Sequence, residues 1–266
     1  MDTPYIQIHN VHKEFDSQPV LDDVSIDVQK GESIVIIGQS GCGKSVLLKH
    51  ILRLIEPDRG AISVDGQNLA ELNDGELTNL RRRMGMLFQS AALFDSMTVE
   101  ENVGLGLREA RKYTEDQVLD IVNEKLEMVG LSDAAHKRPA ELSGGMRKRV
   151  GMARAIAGSP ELLLYDEPTT GLDPMTSLTV DAEIIKLRDL ERVTSVLVTH
   201  QLRDAFYVAT HSATPNGNAQ PKMTPATAAK IEEADFVMIR DGAVAFEGSA
   251  DELRRSEDPY LKTFLS

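Results

Sequence analysis

Ser33-Ile34-Val35-Ile36-Ile37, followed at once by Gly38-Gln39-Ser40-Gly41-Cys42-Gly43-Lys44-Ser45 and then by Val46-Leu47-Leu48-Lys49-His50-Ile51-Leu52, decides how this chain folds. An apolar run of buried-strand length leads into G-x-x-x-x-G-K-S, and a helical-looking segment follows. Strand, glycine loop and helix in this order form a phosphate cradle. Glycines let successive backbone N–H groups converge where a Cβ would obstruct them. The helix start adds N–H donors and about half a positive charge. Lys44 supplies a full charge for β- and γ-phosphates, and the Ser45 hydroxyl supplies an oxygen for Mg²⁺. Away from this context the same residues would read as a glycine-rich turn with a surface lysine.

Composition narrows the classes. A chain of 266 residues is long enough for one good core with a smaller subdomain attached. Its formal net charge of −13 opposes non-specific nucleic-acid binding, which depends on Lys and Arg releasing counterions. The same charge opposes direct adhesion to anionic lipid, so work at a membrane calls for a protein partner. A single cysteine, Cys42, excludes an internal disulfide framework and suits a reducing compartment. In the G-x-x-x-x-G-K-S loop Cys42 reads as filler, with a redox-sensitive thiolate beside Lys44 as the other reading. Met1 to Asn10 lacks a basic region followed by an apolar core, so no signal peptide is expected. No apolar run approaches the roughly 20 residues that span a bilayer.

The chain alternates between patterns. Tyr5-Ile6-Gln7-Ile8 and Val24-Ser25-Ile26-Asp27-Val28 alternate as half-buried strands do. Pro57 to Gly60 reads as a turn, Ala61 to Val64 as a short strand, and Gly85 to Phe88 as a buried strand. From about Ala91 to Ser159 the period becomes helical, with Val118, Ile121, Val122, Leu126 and Val129 on one face, Gly130 as a stop, and Val150, Ala153, Ile156 and Ala157 on another helix. Leu162 to Tyr165, Val196 to Val198, Phe236 to Ile239 and Ala243 to Phe246 then read as strands, with a helix near Thr176 to Glu191. The expected domain is a single α/β unit, residues 1–266. Residues 1–90 and 160–266 form its sheet core, and 91–159 form an inserted helical subdomain. The polar stretch 210–230, rich in Ser, Thr, Pro, Asn and Gly, reads as a solvated loop insertion, with a partner-contact loop as the other reading.

Further chemistry gathers at strand ends. Leu162-Leu163-Leu164-Tyr165-Asp166-Glu167 is an apolar strand closing on two carboxylates. Beside a phosphate loop, Asp166 is suited to holding Mg²⁺ and Glu167 to activating water as a general base. His200 follows Val196-Leu197-Val198-Thr199. A lone histidine is ordinarily a plain surface or core residue, yet one at this sheet edge can reach a γ-phosphate. Gln89 ends the strand before the helical region, where its amide can touch Mg²⁺ or water. Leu142-Ser143-Gly144-Gly145-Met146 opens a helix whose serine cap and exposed glycine backbone make a second anion-reading terminus. One nucleotide does not need two such termini from one chain, so a dimer in which each cap closes on the other chain's ATP is expected. The adjoining Arg147, Lys148 and Arg149 read as a solvated basic face.

Taken in this order, the motifs resemble the ATP-binding-cassette (ABC) transporter ATPase family across nearly the whole chain. The resemblance implies a P-loop NTPase cassette: a RecA-like mixed sheet core, an antiparallel β subdomain and an inserted α-helical subdomain. It implies that Phe15 stacks on adenine, that Gly38, Gln39, Ser40, Gly41, Cys42, Gly43, Lys44, Ser45 and Val46 form the Walker A site, and that Gln89 is the Q-loop glutamine. Ser143, Gly144, Gly145 and Met146 match the signature, Asp166 and Glu167 the Walker B pair, Asp173 the D-loop and His200 the switch histidine. Implied catalytic residues are Glu167, His200 and Gln89; implied metal ligands are Ser45, Gln89 and Asp166; the cofactors are ATP and Mg²⁺. Met146 in place of the commoner glutamine and Val46 in place of threonine are similar to the Mla/Mce-type phospholipid-transport branch, as are Phe88 to Phe94 and the ending Asp258-Pro259-Tyr260 to Phe264-Leu265. The insertion near 210–230 departs from that branch's shorter members. Partners implied are a second cassette, integral membrane permease subunits and an Mce-type lipid-binding protein, without nucleic acid. The implied location is the cytoplasmic side of the bacterial inner membrane, peripheral through the permease. Leu93, Phe94, Met97 and Val99 either line the permease groove or pack the helical subdomain. An importer ATPase for another solute and a soluble non-transport ABC ATPase are the alternatives.

Overall fold

The computed structural model describes residues 3–216, 219–227 and 235–265. It divides into two compact units, Met1–Leu77 with Ile184–Ser266, and Thr78–Glu183.

The first unit carries two sheets. Strands β1 (Ile6–Phe15) and β2 (Gln18–Val28) form an antiparallel hairpin, paired from Ile6 opposite Val28 to Phe15 opposite Gln18. Asp16 and Ser17 fill its tip with φ of 49° and 62°, the pair of left-handed residues that a tight hairpin requires. Alternation buries Ile6, Ile8, Val24, Ile26 and Val28 on one face. Strand β4 (Arg59–Val64) pairs with the other edge of β1, and β5 (Gln67–Asn68) completes the order β2-β1-β4-β5. Strand β4 starts at Arg59, earlier than the expected Ala61, because Gly60 has no side chain. With φ at +89°, a Cβ there would lie 2.3 Å from the Asn10 carbonyl oxygen.

The second sheet centres on β3 (Ser33–Ile37), which runs parallel to β8 (Thr194–Thr199) and to β11 (Asp235–Arg240), while β12 (Ala243–Ser249) pairs antiparallel with β11. Ile34 to Ile37 and Thr194 to Thr199 are buried without alternation, as strands covered on both faces are. Helix α1 (Lys44–Ile51) follows β3 after the glycine loop, and helix α2 (Asp74–Arg81) comes later along the chain.

Residues 210–230 correct the expectation of a solvated loop. Behind helix α7 (Leu202–Thr210), β9 (His211–Asn216) and β10 (Ala219–Pro225) form an antiparallel hairpin. Residues 217, 218 and 228–230 of the stretch lie outside the described residues. Helix ends from elsewhere fasten the hairpin's start: the Arg188 guanidinium donates to the carbonyls of Val208 and His211, each at 2.6 Å, and Asp189 accepts from the Ala213 N–H at 2.7 Å.

The second unit pairs β6 (Met84–Leu87) in parallel with β7 (Leu162–Asp166) and adds helices α3 (Val99–Ala110), α4 (Glu115–Met128) and α5 (Gly144–Ile156). Capping boxes start α3 at Thr98 with Glu101 and α4 at Thr114 with Gln117. Gly130, at φ +65°, ends α4 as expected. Val99, Val103, Val118, Val122, Leu126, Val150 and Ala153 meet in one apolar core. Helix α5 lies hard against β6. A Cβ on Gly85 would sit 2.3 Å from the Ala155 carbonyl oxygen, and one on Gly151 would sit 2.8 Å from Leu87 Cδ1.

Gly85→Ala should therefore lower stability by about 1–3 kcal/mol in urea unfolding, because the backbone of α5 must shift to admit the methyl group. Gly106→Ala, on the exposed side of α3 with nothing within 4 Å of its Cβ, should instead gain up to about 1 kcal/mol through helix propensity.

Candidate functional site

In the first unit the glycine loop leaves the sheet between two strand ends. Ile37 pairs with Thr199 on one side and with Met238 on the other. Gly38 is confined there, since a Cβ would lie 2.4 Å from the Ile239 carbonyl oxygen. Gly41 and Gly43 have φ of +85° and +104°. A Cβ on Gly43 would meet the Val20 carbonyl oxygen and Leu21 Cδ2 at 2.7 Å each. Lys44 is buried, and its ammonium donates to the carbonyls of Gly38 at 2.8 Å and Gln39 at 3.0 Å, with Cys42 Sγ 4.0 Å away. No side chain caps the start of α1, and its first turn has no acid. A left-handed glycine loop around a buried ammonium, opening on such a helix, fits an anion with several oxygens.

Several neighbouring residues named from the sequence lie on the same unit. Gln39 and Ser40 are exposed on the loop, and Cys42, Ser45 and Val46 are half-buried. The Thr199–Ile37 pairing puts His200 level with Gly38 at the same strand ends. Phe15 ends β1 with 44 % of its surface exposed, and Lys13 Nζ stands 5.4 Å from its ring centroid.

In the second unit a parallel register assembles the other group. Leu87 pairs with Tyr165, so Gln89 stands level with Glu167 just beyond the strands. Asp166 and Glu167 are both buried. Glu167 has φ of 49°, a left-handed conformation that costs a non-glycine residue about 1–2 kcal/mol and needs support from its surroundings. The Thr170 hydroxyl donates to the Glu167 carboxylate at 3.0 Å. Ser143 caps α5 by accepting from the Met146 N–H at 3.3 Å. Gly144 and Gly145 begin that helix, and a Cβ on Gly145 would come within 2.1 Å of Thr176 Cγ2. Asp173 caps helix α6 (Pro174–Glu191), accepting from the N–H groups of Met175 and Thr176 at 3.1 Å and from the Thr176 hydroxyl at 2.5 Å. These bonds hold its carboxyl below the usual range.

The expected solvated basic face at 147–149 is corrected. Arg147 donates to the Leu142 carbonyl at 2.8 Å and Arg149 to the Val129 carbonyl at 2.9 Å. Lys148 is buried, only 5 % exposed, and its ammonium donates to the carbonyls of Gln89 and Glu167, the latter at 3.1 Å. Burial pushes its pKa down to about 8, while the carboxylates of Asp166 and Glu167 pull it back up. Arg154, one and a half turns further along α5, donates to the carbonyls of Ala92 at 2.7 Å and Ala91 at 2.8 Å. Sequence reading placed Lys148 in solvent and passed over Arg154. The available signal was spacing: Gly145, Lys148 and Met152 fall on one buried stripe of α5, so Lys148 is a charge at a core position.

The segment 93–99 divides. Val99 lies in the apolar core, Leu93 is partly buried against it, Met97 is half-buried, and Phe94 is 50 % exposed. Asn102, also overlooked, is buried beneath. Its side chain accepts from the Phe94 N–H at 2.8 Å and donates to the carbonyls of Phe94 at 3.1 Å, Met97 at 3.3 Å and Thr98 at 2.9 Å.

In the second unit Asp166 and Gln89 offer hard oxygens at the ends of β7 and β6, and in the first unit Ser45 offers a hydroxyl at the start of α1. Among the described residues no cluster of three or more His, Cys, Asp or Glu side chains could hold a metal. A few oxygen donors supplemented by substrate phosphates suit Mg²⁺ better than an all-protein cage. Also among the described residues, no helix is long and apolar enough to cross a membrane.

Comparison with known proteins agrees with this arrangement. Residues 21–170 match the family described as "ABC transporter". The "Probable ribonucleotide transport ATP-binding protein mkl" of Mycobacterium leprae is 42 % identical over 75 % of the chain, which spans only 58 % of that relative's length. "Intermembrane phospholipid transport system ATP-binding protein MlaF" of Haemophilus influenzae is 35 % identical over 100 % of the chain and 91 % of its own length. The solved "Dimeric structure of a post-hydrolysis state of the ATP-binding cassette MJ0796 bound to ADP and Pi" superposes with a TM-score of 0.75 at 29 % identity, covering 92 % of this chain and 98 % of that one. With the family matched across more than half its length and the cassette fold shared nearly end to end, the chain belongs to the ABC transporter family as an ATP-binding cassette.

Proposed function

We propose that this chain binds and hydrolyses ATP as a homodimer of cassettes, and that hydrolysis powers phospholipid movement through an integral membrane permease. The observation that carries the phospholipid reading is the likeness to MlaF along essentially the whole chain, joined to Val46 and Met146. In this reading the loop amides, the start of α1 and Lys44 hold the β- and γ-phosphates, and Phe15 stacks on adenine. Ser45, Asp166 and Gln89 would hold Mg²⁺, which when bound would neutralise phosphate charge. Glu167 takes the proton of the attacking water, and His200 contacts the γ-phosphate. Ser143, Gly144, Gly145, Met146 and Asp173 close on the nucleotide of the partner cassette.

Within the same proposal, residues 1–90 and 160–266 act as the nucleotide-binding core, and 91–159 as the permease-facing subdomain. The exposed Phe94, on a segment held from below by Asn102, is suited to receive a permease segment. An Mce-type lipid-binding protein completes the complex, and nucleic acid is no partner for a chain of net charge −13. The cassette sits on the cytoplasmic side of the bacterial inner membrane, held there by the permease.

Glu167→Gln is expected to bind ATP with wild-type affinity, to accumulate as a closed dimer on size-exclusion chromatography, and to lose phosphate release by at least a hundredfold. Undiminished turnover would remove Glu167 from its assigned role. The trans arrangement has its own check. In a mixed dimer with Ser143→Arg on one chain only, the site on the other chain should fail; failure of the mutated chain's own site would refute the arrangement. For the substrate, the complex purified from its native membrane should carry permease subunits and phospholipid, and phospholipid should stimulate its ATPase after reconstitution. Stimulation by an amino acid or a ribonucleotide instead would favour an importer of that solute, and recovery with ribosomes a soluble cassette.

A further inference from the structure

Lys148 sits where an apolar side chain would serve packing better. It lies on the buried stripe of α5, and an ammonium there bears a desolvation cost of several kcal/mol unless fully bonded. Its partners are not other side chains but two backbone carbonyls, those of Gln89 and Glu167. The two belong to the loops that leave β6 and β7 side by side. The second carbonyl lies in the peptide between Glu167, at φ 49°, and Pro168, which has no N–H of its own to contribute. The Thr170 N–H reaches the same oxygen at a longer 3.3 Å. Lys148 is thus one of two donors shown for the strained peptide that carries the Glu167 carboxylate. It also ties that peptide directly to the Gln89 loop. Arg154 fastens the following residues of the same loop, Ala91 and Ala92, which have φ of 62° and 46°. Both cations project from the helix that Ser143 caps.

We propose that Lys148 is a positioning residue for ATP hydrolysis: from helix α5 it clamps the Gln89 and Glu167 carbonyls together, so that the water-activating carboxylate and the loop amide are set jointly by the place of the signature helix. The inference rests on the proposed ATPase function. Lys148 acts through these two carbonyls. Its effect falls on the geometry of the chemical step, where a displacement of an ångström is costly, and not on nucleotide affinity.

The test compares wild type, Lys148→Met and Lys148→Arg. Lys148→Met should bind ATP within twofold of wild type by calorimetry while kcat falls at least tenfold at nearly unchanged KM. Lys148→Arg, which restores two donors, should recover turnover to within about threefold. Hydrogen exchange without nucleotide should show amides at 89–92 and 167–170 exchanging at least tenfold faster in Lys148→Met, with the apolar core around Val122 unchanged. If the methionine variant fails to fold, Lys148→Gln, which removes the charge but keeps an amide N–H group, is held to the same criteria. A wild type that hydrolyses ATP while Lys148→Met keeps pace would overturn this inference alone, as would equal losses in affinity, turnover and core protection. A wild type that releases no phosphate would overturn the ATPase function together with it.

Discussion

The exit of the chain from β3 constrains the first unit. Ile37 is hydrogen-bonded into the sheet between Met238 and Thr199, and the next residue must turn away beneath the Ile239 carbonyl. Only glycine fits there, and only left-handed geometry at Gly41 and Gly43 brings the chain back in time to begin α1 at Lys44. This geometry brings the Gly38 and Gln39 carbonyls onto the buried Lys44 ammonium. The parallel register with β8 sets His200 at the same strand ends, and the Val20–Leu21 segment packs close against Gly43.

The second unit solves a different problem with a buried charge. Two parallel strands end level with one another, and their loops carry an amide and two carboxylates. Such loops have little regular structure to hold them, and residues 91, 92 and 167 adopt conformations unfavourable for side-chain-bearing residues. Helix α5 compensates with cations. Lys148 and Arg154 donate to carbonyls that no ladder reaches, and burial draws both away from their ordinary proton affinities. Close packing at Gly85 and Gly151 brings α5 near enough for a lysine to span the gap.

Much of this was legible beforehand. Glycine spacing, the uninterrupted apolar strands and the carboxylates at the end of β7 each carry a local physical signature, so the loop, Asp166, Glu167, Gln89 and the Ser143 cap fell where expected. Phe15 was assigned by resemblance alone, and its exposed place at the end of β1 is compatible with that. The hairpin at 211–225 was missed because its strands are polar and its anchorage comes from Arg188 and Asp189 on a distant helix. Composition sees the first and not the second.

The sequence by itself determined the phosphate-cradle architecture, the apolar strands on either side of the helical insertion, and the acidic balance of the chain. These depend on near neighbours along the chain: period, spacing and steric freedom at glycine. Tertiary structure alone decided that Lys148 is a buried clamp and not one of three solvated charges, that Asn102 holds the Phe94 segment, and that Arg188 fastens a hairpin. A long polar side chain reaches the same distance whether it ends in water or on a carbonyl, and only the packing of other segments around it settles which one it meets.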